Sequence, residues 1–247
     1  EGEGALPLEQ VHDHHMSWAQ YFEDREVPGI LRNKWFERRH MMHQTARWRR
    51  DRSQQLHTAW MNGSGMVVWE VVFGSWVGWS ARDRSVLRAM LPIQRRFASL
   101  FSGEGWTPLV QAEAANVYAT LWEGPGIRLW TLVNRGNQPA SGLLLKVPAL
   151  TGASYFDLFA GQELSPDIHD GTAFLQGTLA PSGIGGFVTG SAASLGPDFS
   201  RFLAMQRELY LSEADSMEFP KRPVLVLSQP PVNGPRIHAH FPGMVEI

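Results

Sequence analysis

The 247-residue chain has no cysteine. Disulfide frameworks, thiolate metal centres and cysteine nucleophiles are therefore excluded. No apolar run reaches the roughly 18 residues that a membrane-spanning helix needs. A basic excess is missing as well: Lys and Arg number 22 against 24 Asp and Glu, a formal net charge of -2. Proteins that hold nucleic acid through its phosphates usually carry net positive charge, so neither nucleic acid nor membrane is an expected partner. Several motifs are also absent. The chain has no G-x-G-x-x-G between a strand and a helix, no G-x-x-x-x-G-K-[ST], no H-E-x-x-H and no G-x-S-x-G. Gly183-Ile184-Gly185-Gly186 sits among strands with no following helix and does not read as a phosphate loop. No cofactor is expected.

What is present describes a folded chain. Residues are 43% hydrophobic and 19% charged, which excludes a disordered polymer, and the length suits one large domain or two smaller ones. Composition changes near Trp106. Eight of the ten Trp lie at or before it, as do six of the nine His. Beyond it, short apolar stretches are separated by Gly, Pro and Asn. The expected organisation is therefore an α/β region over 1–106, an all-β region over 107–190, and a helix with a Pro-rich linker over 191–247. The start, Glu1-Gly2-Glu3-Gly4, shows no targeting signal, and the apolar phrase at the end reads as the opening strand of something more. A fragment of a longer protein is expected.

Residues 51–61 read as a helix stopped by Asn62-Gly63, a pair suited to left-handed backbone. The run 66–73 is apolar on both faces except for Glu70, which predicts a parallel strand covered on both sides. Ser80-Ala81-Arg82-Asp83 resembles a capping box, and Leu87, Met90, Leu91, Phe97, Ala98 and Phe101 follow at helical spacing, with Pro92 expected to kink the helix. Further on, 117–123 and 127–133 flank Gly124-Pro125-Gly126 as a hairpin, and 143–147, 154–159, 173–179 and 184–188 continue as strands. Strands at this spacing suggest an antiparallel β-sandwich. Residues 198–212 read as one amphipathic helix.

Glu70 is the candidate catalytic residue. An ionised carboxylate inside an apolar strand needs a partner or a task. At the C-terminal end of a barrel strand, against Trp69 in a partly dry cleft, its pKa would rise and it could act as a general acid. The other reading pairs it with Arg47 or Arg82 as a structural ion pair. Trp69, Trp76 and Trp79 surround Gly74 and Gly78, and exposed indole faces there would stack on sugar rings, whereas burial would make them core. His43 and Arg47 fall in a segment that reads as the preceding barrel strand, with a surface strand or helix as the alternative. His12-Asp13-His14-His15 has no second ligand pair and reads as a solvated loop, so no metal is assigned.

Asn62-Gly63-Ser64-Gly65-Met66-Val67-Val68-Trp69-Glu70, Phe73-Gly74-Ser75-Trp76, and the helix leading to Trp106-Thr107-Pro108 resemble the C-terminal part of a bacterial (β/α)8-barrel glycoside hydrolase. Leu129-Trp130-Thr131-Leu132-Val133-Asn134-Arg135 and Tyr155-Phe156-Asp157-Leu158-Phe159-Ala160-Gly161 look like the β-sandwich that follows many such barrels. The ending Pro242-Gly243-Met244-Val245-Glu246-Ile247 is similar to the first strand of formylglycine-generating (sulfatase-modifying) domains. The resemblance implies a carbohydrate substrate, hydrolysed by a pair of carboxylates of which only Glu70 is on this chain. A full barrel takes about 250 residues, so 1–106 would hold roughly its last two βα units. The upstream barrel segment, with the second carboxylate, and a downstream domain are then expected outside this chain, and the chain alone is expected to be inactive. A non-catalytic carbohydrate-binding or architectural region of a larger protein is the alternative.

Overall fold

The structure, a computed structural model, describes residues 13, 16–20, 26–39, 41–45, 51–66, 68, 71–72, 75–76, 78–211 and 216–219. The phrase at 242–247 that resembles a formylglycine-generating domain lies outside them. Three short strands open the chain: β1 (Met16–Gln20), β2 (Met41–Thr45) and β3 (Gly65–Met66). They pair in parallel in the order β1-β2-β3, with Met16 opposite Met41 and His43 opposite Gly65. Helix α1 (Arg32–Phe36) separates the first two and α2 (Ser53–Met61) the last two, as parallel pairing requires of its crossovers. The expectation of two βα units thus becomes three parallel strands. The strand β1 carries no apolar run that would announce it.

The continuous strand expected over 66–73 is corrected. Met66 ends β3, while β4 (Val71–Val72) pairs antiparallel with β5 (Ser75–Trp76) in a separate small sheet. Val68 and Val71 are 54% and 57% exposed, so this stretch is not covered on both faces. An apolar run alone does not say what covers it.

Helix α2 ends as the sequence predicts. Gly63 adopts φ +56, and a Cβ there would strike Phe101 at 2.6 Å and Trp122 at 3.0 Å. Asn62 accepts from the Leu31 amide and donates to the carbonyls of Gly29 and Thr58, tying the helix end to the segment before α1. Helix α3 (Ala81–Arg96) begins at Ser80, whose hydroxyl accepts from the Asp83 amide. It contains Pro92 and runs into α4 (Ala98–Phe101).

No helix occurs in residues 107–190. The strands there are β6 (Gly105–Val110), β7 (Val117–Gly124), β8 (Ile127–Asn134), β9 (Ala140–Pro148), β10 (Ser154–Asp157), β11 (Gln162–Leu164), β12 (Asp167–His169), β13 (Thr172–Leu179) and β14 (Ile184–Gly190). They form two antiparallel sheets, six-stranded β11-β10-β14-β8-β7-β6 and three-stranded β12-β13-β9. The hairpin β7–β8 turns at Pro125-Gly126, where Gly126 takes φ +70, a conformation that glycine adopts without steric cost. Two helices follow, α5 (Ala192–Leu195) and α6 (Phe199–Leu211).

Two apolar cores result. Ala119, Trp130, Leu132 and Phe187 of the larger sheet meet Leu144, Val147, Ala173 and Leu175 of the smaller one. The opposite face of the larger sheet, through Trp122, Leu129, Ile184 and Val188, packs on Leu56 and Trp60 of α2, Met90 and Ile93 of α3, Phe101 of α4 and Phe202 of α6. The strands β8 and β14 are therefore buried almost throughout. Among the described strands, these antiparallel ones are covered on both sides.

Candidate functional site

Because β2 and β3 run parallel, the connections that leave them, 46–52 and 67–80, start from the same edge of the sheet. Each leads into a helix N-terminus. Arg47 follows the end of β2 by two positions, and Glu70 follows the end of β3 by four. Arg47, Trp69 and Glu70 themselves lie outside the described residues. His43 is placed in β2, opposite Gly65. Trp76 is half-buried in β5, with its ring against Gly78, where a Cβ would come within 2.6 Å of it.

Trp79 requires a correction. Only 1% of it is exposed, and it belongs to the core with Trp60 and Met90. The guanidinium of the fully buried Arg52 lies 4.8 Å from its ring centroid. Stacking a sugar needs an open indole face, and Trp79 has none.

A polar lock binds the two helix N-termini together. The Arg52 amide donates to Asp83 Oδ2 at 2.9 Å, the Ser53 hydroxyl donates to Asp51 Oδ1 at 2.6 Å, and Arg82 reaches Asp51, Asp83 and the Ser53 hydroxyl. Burial raises the Asp83 pKa above the usual carboxylate range, against the pull of the Arg52 amide. Burial acts the same way on Asp51, but the bonds from Ser53 and the charge of Arg82 hold it below that range. Arg82, one of the two partners considered for Glu70, thus has Asp51, Asp83 and Ser53 around it. The lock sets how the connections 46–52 and 67–80 enter their helices.

Two buried bases escape sequence reading. His57 Nε2 donates to the Ser182 carbonyl at 2.9 Å, and burial, aided by the charge of Arg135, pushes its pKa down to about 3. The neighbouring Trp60 donates from Nε1 to the Gly185 carbonyl at 2.8 Å. Together they fasten α2 to β14 and the turn before it. Lys34 is fully buried, donates to the Phe101 carbonyl at the end of α4, and is pulled down to about 8 by burial and by Arg38. A cation is favoured at a helix C-terminus, which gives this lysine a structural task. Neither residue lies in a motif, so no local signal marks it.

No family model matches the chain, and no curated protein matches it. Among solved structures, the chain is similar to a family 30 glycoside hydrolase endoxylanase from Clostridium papyrosolvens, with 13% identity and a TM-score of 0.39 over 73% of this chain and 50% of that one. It is similar to a family 30 subfamily 8 xylanase from Clostridium acetobutylicum, with 13% identity and a TM-score of 0.40 over 70% and 48%. A family 27 β-L-arabinopyranosidase from Geobacillus stearothermophilus matches at 10% identity and a TM-score of 0.38 over 77% and 49%. The chain spans about half the length of each of these proteins.

Proposed function

We propose that this chain belongs to a carbohydrate-active glycoside hydrolase, as the closing βα units of its barrel followed by a β-sandwich. The observation that carries the reading is the parallel order β1-β2-β3 with helical crossovers. In α/β sheets and barrels, ligands bind at the carboxyl ends of the strands. Arg47, Trp69, Glu70 and Trp76 all fall in, and His43 just before, the two connections that leave those ends. Glu70 is then the general acid that protonates the leaving oxygen, and Trp69 and Trp76 contact the sugar. Glycoside hydrolysis needs a second carboxylate about 5–10 Å away. Among the described acids near these helix starts, Asp83 is buried and Asp51 is bonded to Ser53, so neither is offered as that partner. The exposure of Val68 and Val71 fits strands and helices that meet further neighbours there. The corresponding division is a barrel part over 1–106, a sandwich over 107–190 and a helix with linker over 191–247, with the first two sharing one apolar core.

The test is hydrolysis of a panel of aryl glycosides by residues 1–247 and by the longer natural polypeptide, each as wild type and Glu70→Gln. The longer protein should turn over and lose about 10²–10⁴ in kcat on substitution. That loss should shrink with a leaving group that needs no protonation. Residues 1–247 alone should be inactive. Unchanged kcat in the Glu70→Gln protein would overturn the catalytic role, and turnover by residues 1–247 would show that the second carboxylate is already here.

A further inference from the structure

A cleft of about 480 Å³ opens where the two antiparallel sheets meet helices α3 and α6. Its volume lies in the range of small-molecule sites. Phe159 and Tyr210 give it aromatic walls, while Asp157, Gln162 and Thr178 supply polar groups. Among the described residues no Lys or Arg lines it, so an anionic ligand would find no counter-charge there.

Asp157 is the unusual member. Its Oδ1 accepts from the amides of Phe159 and Ala160, both at 2.9 Å, which fixes the turn after β10. Among the described residues, no group donates to its Oδ2 and no cation is near enough to pair with it. Burial raises its pKa above the usual carboxylate range, so water only partly solvates the charge. A carboxylate in that position is stabilised by a donor that a ligand brings. The Gln162 amide, paired opposite Asp157 across β10 and β11, can both donate and accept, which suits a ligand that does both. Aromatic walls suit the C–H faces of a sugar ring.

We propose that this cleft binds a neutral sugar, of one or two rings, with a ring hydroxyl donating to Asp157 Oδ2. The site goes beyond the hydrolase reading, since it needs neither Glu70 nor a second carboxylate.

The test is ligand-observed NMR and calorimetry on the full chain with the methyl glycosides of glucose, galactose and xylose, and with choline as a cationic comparison. At least one glycoside should bind with Kd on the order of 1 mM. Asp157→Asn keeps the Oδ1 acceptor for both amides, so it should weaken binding about tenfold at unchanged Tm. Gln162→Ala, at an exposed strand position, should weaken it too, and Glu70→Gln should leave it unchanged. The proposal is overturned if no glycoside binds, if only choline binds, if Asp157→Asn or Gln162→Ala binds like wild type, or if Glu70→Gln abolishes binding. If Asp157→Asn does not fold, Gln162→Ala decides.

Discussion

His57 carries no charge near neutral pH because its ring is fully buried, with its one N–H donating a hydrogen bond to the Ser182 carbonyl. Its folded pKa, near 3, lies well below the ordinary value of 6.5. Between those values the unfolded chain takes up a proton that the folded chain refuses, so acidification through this window favours unfolding. The expected outcome is a urea midpoint that falls as pH drops from about 6.5 toward 3, with a shallower fall in His57→Gln than in wild type. Equal slopes in the two proteins would mean that His57 is already charged in the folded state. Lys34 follows the same rule on the alkaline side. Its folded pKa near 8 lies below 10.5, so its contribution to stability improves as pH rises between those values.

At the scale of elements, helix starts and close backbone approaches carry the organisation. Ser80 satisfies the Asp83 amide, one of the donors left orphaned at the start of α3. Ser80→Ala is expected to cost about 1 kcal/mol, read as a lowered urea midpoint at unchanged m value. A larger loss would show that the polar lock with Arg52 and Ser53 collapses with the cap. Glycines matter most where elements touch. Gly161 takes φ +62, and a Cβ there would lie 2.4 Å from the Leu203 carbonyl of α6. Gly186 lets β14 lie against the Trp60 ring. The Gly183-Ile184-Gly185-Gly186 run therefore serves packing, consistent with its rejection as a phosphate loop.

On the scale of the whole molecule, the six-stranded sheet is covered on both faces at its central strands β8 and β14. One side meets the smaller sheet and the other meets helices from both ends of the described chain. Separating residues 105–190 from the rest would expose Trp122, Leu129, Ile184 and Val188 together, an apolar patch that a soluble monomer rarely tolerates. That segment expressed alone should be aggregated or should lack a cooperative thermal transition, whereas residues 51–211 should melt cooperatively. A monomeric 105–190 fragment with a sharp transition would show that the sandwich is an autonomous unit, as the change in composition near Trp106 suggests.

Local periodicity and turn chemistry were enough to read the helix at 51–61, the Ser80 cap, the Gly124-Pro125-Gly126 hairpin and the strands that surround it. Those features depend on neighbours a few residues apart, so the order of residues alone determines them. The short strands β1, β6, β11 and β12 were not legible, because they are held by pairing with a neighbouring strand rather than by their own pattern. Whether an aromatic residue stacks on a ligand or fills a core is likewise decided by what packs on it. Trp79 and Trp76 sit in the same Gly-rich phrase, yet Arg52 and the α2–α3 contact enclose Trp79 while Trp76 stays half-buried. Asp157 makes the same point. Its sequence shows only an acid within a short strand, and it takes two sheets and two helices to surround it with a cleft.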